Sequence, residues 1–512
     1  MPKVLTSPVF NYISLYIAGA MATLSLPPFS ILPLIVGIGF GLYRINFQSS
    51  FLKIFLSAWF LGFGWFSFGL YWIGSAFLMA DTYNVILMPV AIILLPSLLA
   101  VFWGCACVCA RLINQKTKFS ILYMIVFLSL FEYLRAQLFT GFPWLMPSMT
   151  FASNVYLIQI FSFVGSFSVN IIVLTMSILP FVFFSNFKRK YTLSLVLLIP
   201  IIILFICGIL KYYNKSSLKK TDQLVTIVQP NIKQKNKWIL YNRKQNLDNL
   251  LELSIKKREG YNNKNRIIIW PETSFEGSIP SEKKLLSDIS KKILKNKNTT
   301  LILGLLRTND KKVFNSLVFL NFTGDIIYKY DKIKLVPFGE YIPLRKYLGA
   351  YADMLAPKDF TSGKFKSNPS IYGFDNIVTL ICYEILFTNE IVRRISKNTN
   401  LLINITNDAW FGKTIGPYQH LALAKIKAVE FGLPLARVAN TGISAYVSPY
   451  GEIIGLIPLG IKGVKTFDLI PALDDTLYKT YGENIYIVLI LILLVINTNY
   501  NRNFKEDELN EK

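Results

Sequence analysis

The sequence predicts two fold classes in one chain: a multi-pass α-helical membrane domain followed by an α/β layered domain. Three observations predict this. Residues 1–212 are a series of apolar runs, each close to the ~20 residues that a membrane-spanning helix takes. Residues 213–483 alternate short β-rich runs with amphipathic, lysine-rich stretches, the pattern of an α/β layered domain. The whole-chain averages, 53% hydrophobic residues and a mean hydropathy of +0.43, are too high for a soluble protein and too low for a chain wholly in lipid. Residues 484–512 add a last apolar run and a charged tail, and 512 residues accommodate all three parts.

The expected crossings are 10–26, 29–46, 51–76, 84–112, 119–139, 155–186 and 192–212, with breaks such as Pro27-Pro28 at the joins. The first run lacks a small-residue cleavage signature and is expected to stay as an anchor. Gly37, Gly39 and Gly41 alternate in the second run. A dinucleotide loop would need a flanking strand and helix, so these glycines are expected to serve close helix packing. Cytoplasmic connections carry an excess of Lys and Arg. Lys3, then Arg44 and Lys53, then Arg111, Lys116 and Lys118, then Lys188-Arg-Lys190 mark one side, whereas Leu26–Ser30, Ala80–Asn84 and the segment after Arg135 are poor in both. The N-terminus is therefore expected inside, and seven crossings place the α/β domain outside the cytoplasm. An eighth run, Ile485 to Ile496, extended to about Tyr500, is expected to cross back and leave the tail cytoplasmic. Glu132 and Arg135 are the clearest ionisable residues inside the runs; they lie near a run's end, where snorkelling is expected to suffice.

The formal net charge of +24 does not point to nucleic acid. The lysines are scattered among asparagines, as in Lys256–Arg266 and Lys291–Asn298, with no aromatic-interleaved basic stripe. Four of the five cysteines lie in apolar runs, which leaves Cys382 alone in the polar half and implies no disulfide framework. Cys105-Ala-Cys-Val-Cys109 has no histidine partner and reads as small packing residues. With a single histidine, His420, neither a metal site nor a cofactor is expected.

In the α/β part the expected strands are Leu224–Val228, Ile267–Trp270, Leu301–Gly304, Asn315–Leu320, Ile377–Ile381, Leu401–Thr406, Ala445–Ser448 and Val464–Asp468. The expected helices are Asn242–Arg258, Ser281–Lys295, Asn389–Ser396 and Tyr418–Phe431. About 270 residues suffice for one core.

Three polar residues fall near predicted strand ends, where layered α/β folds concentrate ligand chemistry. Glu272 follows Ile267–Trp270 across Pro271, Lys332 precedes Leu335-Val-Pro337, and Cys382 ends Ile377–Ile381. Each alone has a plainer reading. Glu272 can open a polar turn, Lys332 can be one more solvated lysine, and a lone cysteine often fills space in a core. Together they suit acyl transfer. A thiol needs a base to attack at neutral pH, and a carboxylate in a dry pocket can serve. The developing oxyanion needs a fixed positive charge or N–H donors, and a lysine supplies the charge. Cys382 with His420 is a second pairing of thiol and base that the residues leave open.

Trp270-Pro-Glu272, Lys332 with Leu335-Val-Pro-Phe-Gly-Glu340, and Cys382-Tyr-Glu384 resemble the Glu–Lys–Cys triad of the nitrilase (carbon–nitrogen hydrolase) superfamily. The apolar runs, with Val228-Gln-Pro-Asn231, Trp238, Asn407-Asp-Ala-Trp-Phe-Gly412 and Asn440-Thr-Gly442, narrow the resemblance to the apolipoprotein N-acyltransferase family. It implies a nitrilase-like αββα sandwich on the periplasmic face of a bacterial inner membrane. It also implies that Glu272 is the general base, Lys332 stabilises the tetrahedral intermediate and Cys382 is the nucleophile. In the family the lysine lies eight positions before the glutamate of Phe-Gly-Glu, which selects Lys332 over Lys334. Glu340, Tyr383 and Glu384 are then supporting residues, with the Tyr383 N–H helping to hold the oxyanion. Trp238 is a substrate-binding aromatic near the acyl chain, and 341–363 a lid.

The implied reaction is ping-pong. Cys382 takes the sn-1 acyl chain of a phospholipid, with phosphatidylethanolamine the expected donor, and passes it to the α-amine of a diacylglyceryl apolipoprotein. A membrane-anchored amidase acting on a small amide or nitrile is the nearest rival. A transporter or scaffold with an external binding domain is the rival from another class, and would carry ionisable residues within the membrane runs.

Overall fold

The computed structural model describes residues 8–79, 83–113, 121–185, 189–215, 221–255, 264–279, 283–294, 297–310, 312–349, 353 and 358–510. Lys3, Lys116, Lys118 and Lys188 of the charge asymmetry, and 350–352 and 354–357 of the expected lid, lie outside the described residues. The chain divides into two compact units. One comprises Met1–Gly74, Leu87–Lys215 and Thr476–Lys512; the other comprises Ser75–Ile86 and Ser216–Asp475.

The first unit is helical. Among the described residues, Phe51–Met79, Val85–Ile113, Ile121–Thr140, Leu157–Phe183 and Lys190–Tyr213 are long and apolar enough to cross a membrane. The chain is thus multi-pass. The other three expected crossings are shorter apolar helices, Val9–Ser25, Leu32–Asn46 and Asn484–Tyr500. Local sequence accounts for the first two. The first tightens into a 3-10 turn at Thr23–Ser25 ahead of the prolines, and the second begins as one at Leu32–Ile35 around Pro33. The glycine reading holds: a β-carbon on Gly39 would lie 1.8 Å from the Ser177 carbonyl oxygen.

Glu132 and Arg135 do not snorkel. They are 0% and 1% exposed and form an ion pair within one helix. Glu132 Oε1 also accepts from Trp103 Nε1 at 2.8 Å and Arg135 Nε at 3.1 Å, Arg135 reaches the Phe142 carbonyl, and its guanidinium lies 5.1 Å from the centre of the Phe66 ring. The helix spacing that sets Arg135 one turn beyond Glu132 makes mutual neutralisation available without leaving the apolar interior.

The second unit contains two sheets. Its strands are β1 (Gln223–Gln229), β2 (Asn265–Ile269), β3 (Phe275–Ile279), β4 (Thr299–Asn309), β5 (Lys312–Leu320), β6 (Ile326–Asp331), β7 (Val378–Ile381), β8 (Leu402–Thr406), β9 (Leu435–Ala439), β10 (Ser444–Val447), β11 (Ile453–Ile457) and β12 (Gly463–Asp468). The first sheet runs β12-β1-β2-β4-β5-β6 with β3 also on β4, and the second runs β11-β10-β9-β8-β7. The β1-β2-β4 and β7-β8-β9 segments are parallel.

Strand periodicity explains the layering. Val225 and Ile227, Ile267 and Ile269, and Leu317 and Phe319 pack with Ile403 and Ile405, and Ala436 and Val438, in one core between the sheets. The intervening Ile268, Leu301, Leu303 and Val318 pack instead with Leu250, Leu286 and Ile289, from helices Arg243–Ile255 and Lys283–Ile293. Helix Gly416–Phe431 packs on the second sheet. The result is an αββα sandwich.

Each expected strand is present. Among the described residues, four more were not anticipated. β6 and β11 are edge strands with little burial, and β6 carries a lysine. β3 is a short strand after the Glu272 turn, and β9 is wholly buried yet contains Arg437, which masks its apolar run. The expected helix Asn389–Ser396 stops at Val392.

Candidate active site

Three strand ends carry the predicted residues. Trp270 and Pro271 extend β2, and Glu272 and Thr273 turn the chain, with Thr273 at φ +46°. Lys332 follows β6 directly, its N–H tied to the Asn315 carbonyl of β5 at 2.8 Å. Cys382 follows β7 at φ +53° and opens a short 3-10 turn to Leu386. A left-handed backbone at a non-glycine residue costs about 1–2 kcal/mol; here it ends the strand abruptly and re-aims the sulfur.

Glu272, Lys332 and Glu340 form a charged cluster bridged by Asn315. Lys332 Nζ lies 2.9 Å from the Glu340 carboxylate and 3.8 Å from Glu272 Oε1. Asn315 Nδ2 donates to Glu272 Oε1 at 2.7 Å and to Glu340 Oε1 at 3.0 Å. The Val336 N–H fixes the other Glu340 oxygen at 2.8 Å. Lys332 is 1% exposed and Glu272 6%. Burial alone would lower the Lys332 ammonium, but the charges of Glu340, Glu272 and Cys382 outweigh it and hold it above its ordinary value. Lys332 is therefore a fixed cation.

Cys382 keeps some surface, yet its dense surroundings push the thiol up to about 12. The Glu272 charge adds to this, Lys332 opposes it, Asp408 raises it further and a Thr406 hydrogen bond lowers it. The resting sulfur is thus a protonated thiol, which attacks only if a base takes its proton during the step. The carboxylate whose charge it feels most is Glu272.

Glu384 joins the segments that carry Lys332 and Cys382. Its Oε2 accepts from the Ile381 N–H at 2.8 Å. Its Oε1 accepts from the Ile333 N–H at 2.7 Å, the Lys334 N–H at 3.1 Å and the Tyr330 hydroxyl at 2.8 Å. Burial raises this carboxyl, and Arg394 and the donors pull it back. Arg394 donates to the Tyr330 hydroxyl at 2.7 Å and to the Thr379 carbonyl at 2.9 Å.

Tyr383 is buried, its ring 4.9 Å from that of Phe387. Trp238 is 48% exposed and is followed by exposed Ile239, Leu240 and Tyr241. The preceding Lys237 is buried and donates to the Glu272 carbonyl at 3.2 Å and to Thr273 Oγ1 at 2.6 Å. The Trp238 segment is thereby latched to the turn that holds Glu272. Sequence reasoning missed Lys237, Asn315, Tyr330 and Arg394. Only the Asn-Ser pair interrupting the apolar β5 run signalled that a buried polar group sat there.

The carbon-nitrogen hydrolase family model matches residues 224–473, and that of the apolipoprotein N-acyltransferase N-terminal domain matches 18–179. Proteins named apolipoprotein N-acyltransferase are similar over nearly the whole chain. That of Rhodopseudomonas palustris is 30% identical over 505 residues, 94% of this chain and 93% of its own. That of Rhizobium rhizogenes is 32% identical over 495 residues, 91% of this chain and 92% of its own. Among solved structures, an amidase from Nesterenkonia sp. covers 54% of this chain and 99% of its own, at 16% identity and a TM-score of 0.38. With both parts of the chain matched in order, and relatives at this identity spanning it almost end to end, the chain belongs to the apolipoprotein N-acyltransferase family.

Proposed function

We infer that the chain is an acyltransferase that N-acylates lipoproteins within a bacterial inner membrane, taking the acyl group from a lipid onto Cys382. The observation that carries the site assignment is the convergence of Glu272, Lys332 and Cys382 from three strand ends. The family and the membrane helices support substrates held in the bilayer. A small-amide hydrolase would have no need of them.

In the proposed reaction Cys382 Sγ attacks the sn-1 ester carbonyl of a phospholipid, with phosphatidylethanolamine as the proposed donor, while Glu272 takes the thiol proton. The Lys332 ammonium, and the Tyr383 N–H, stabilise the oxyanion. Collapse expels the lysophospholipid alkoxide, which recovers the proton from Glu272, and leaves a thioester on Cys382. The α-amine of a diacylglyceryl apolipoprotein then attacks that thioester. Glu272 takes the amine proton, the amide forms, and the released sulfur is reprotonated. Glu340 holds Lys332 in place, Glu384 holds both catalytic segments, and Trp238 lies against the acyl chain. We place the domain of 213–483 on the periplasmic side, on the Lys/Arg asymmetry of the connections; a reporter fused near Lys215 that proved cytoplasmic would overturn this.

The test is intact-mass analysis after incubation with phospholipid vesicles, wild type beside Cys382→Ala. A long-chain adduct on the wild type, labile to hydroxylamine, absent from the variant and discharged by a diacylated lipopeptide, is expected. Folded wild type that takes up no acyl group would remove the thioester step.

A further inference from the structure

The single histidine of the chain sits directly behind the nucleophile. Ile403 and Ile405, like Ala436 and Val438, face the core between the sheets. Asn404 and Arg437, cross-strand partners in the β8-β9 register, therefore point to the opposite face of the second sheet. There they meet Asp408 and His420 in a cluster whose members are each 0–1% exposed. Arg437 Nη1 donates to Asn404 Oδ1, and Nη2 donates to Asp408 Oδ2 at 2.7 Å. Asp408 Oδ1 accepts from Thr406 Oγ1 at 2.9 Å and lies 3.0 Å from His420 Nδ1, which is also 3.0 Å from Arg437 Nη2.

The cluster ends on the strand that carries the nucleophile. Asn404 Nδ2 donates to the Cys382 backbone carbonyl at 3.2 Å and to that of Leu380 at 3.4 Å. A buried ionic cluster is weak support for stability, since apolar replacements of similar volume are often as stable. Its geometry suggests another use. Cys382 is held at φ +53°, and a strained residue persists only where its surroundings over-determine it.

We propose that Asn404, itself fixed by Arg437 with Asp408 and His420 behind it, is a positioning residue that clamps the Cys382 carbonyl, locks its left-handed turn and so aims its sulfur. This rests on the reading of Cys382 as nucleophile and adds a role for residues outside the Glu–Lys–Cys set. It also gives His420 a place other than base to the thiol. Its Nδ1 faces Asp408 and Arg437 at 3.0 Å each, and burial first, then Arg437, hold its pKa below the ordinary value. Glu272 keeps the role of base.

The experiment compares full-length wild type, Asn404→Leu and Asn404→Asp in detergent. It reads the alkylation of Cys382 by iodoacetamide, located by peptide mass, and acyl uptake from phosphatidylethanolamine vesicles. Loss of one buried hydrogen bond to a strained turn is expected to slow both reactions by about tenfold in either variant. The KM for lipid and the shape of the pH–rate profile should stay unchanged. If the leucine variant does not fold, Asn404→Asp, which keeps an acceptor for Arg437 and loses only the donor, is read in its place. The proposal is overturned if a folded variant reacts at the wild-type rate. It is equally overturned if the KM for lipid rises in step with the loss of rate, or if a limb of the pH profile shifts. If alkylation depends on residue 404 while the wild type takes up no acyl group, the acyltransferase reading fails and the positioning role stands.

Discussion

Gly304 of β4 and Glu272 are so close that a β-carbon on Gly304 would lie 2.7 Å from the Glu272 Cα; it would also lie 2.6 Å from the Thr273 nitrogen. Both neighbours are backbone, so neither can swing aside. Gly304→Ala is expected to displace the Glu272 turn and its Lys237 latch. Displacements of about 1 Å in a catalytic group can cost on the order of 100-fold in rate, and overpacking costs about 1–3 kcal/mol in stability. Rates of thioester formation and melting of the variant check this; unchanged rates would mean that the placement of Glu272 is not critical.

Glu272→Gln separates two roles of one carboxylate. Its charge raises the Cys382 thiol, which stands near 12, so removing the charge should lower that pKa while burial keeps it above the ordinary thiol value. The midpoint of Cys382 alkylation against pH is expected to fall. Acyl uptake should instead drop by about 10² or more, because the proton acceptor is gone. A midpoint that rose would contradict the placement of Glu272 beside the sulfur.

Glu384→Gln sets an amide NH₂ among four donors that the carboxylate now satisfies. Hydrogen bonds to a charged group are worth about 1.5–3 kcal/mol each, and a loss of at least that size is expected in thermal or denaturant unfolding, with activity falling alongside. Tyr330→Phe removes one of the four, and an acceptor of Arg394 with it, and should cost about 1.5–3 kcal/mol.

Glu132→Ala leaves Arg135 buried without its carboxylate and is expected to destabilise the helical unit by about 3–5 kcal/mol. Glu132→Met combined with Arg135→Met removes both charges and should lie much nearer the wild type. Melting of the detergent-solubilised proteins gives the comparison.

Acid should weaken the α/β unit in two stages. His420 has a folded pKa below its unfolded value of about 6.5, so its contribution is present above that pH and is lost as pH falls toward the folded pKa. Burial alone would raise Asp408, but Arg437 and His420 outweigh it and depress the carboxyl. Its contribution is lost only below about pH 3.9. Lys332 has the opposite sign: raised when folded, it stabilises fully below about pH 10.4 and less above. Melting temperature against pH should therefore fall between pH 7 and 5, and His420→Gln should flatten that slope. A slope that persisted would have another source.

The fold and two of the strand-end residues were legible for one reason. Glu272 and Cys382 are announced locally, by an apolar β-rich run that stops at a polar residue, whereas Lys332 follows a polar edge strand and is singled out by its spacing from Glu340. Their supports are not local. Asn315 matters because the fifth strand sets it between Glu272 and Glu340, residues 43 and 25 positions away. Asn404 and Arg437 meet through a parallel register, which no short stretch of sequence encodes. Arg394 looks like any surface arginine after a short helix until the fold puts Tyr330 against it. The Glu132–Arg135 pair was misread because distance from a run's end was taken for access to water.

The division of the site between the two sheets bears on how the protein is made. Glu272 and Lys332 leave strands of the first sheet, and Cys382 leaves the second. The first sheet is completed only by β12, the last strand of the domain, which pairs with β1. During synthesis the nucleophile's sheet is therefore finished before the sheet of its base and cation is closed. A chain cut short before β12 leaves β1 without its antiparallel neighbour, so the sheet that carries the base and the cation is the one that waits on the end of the domain.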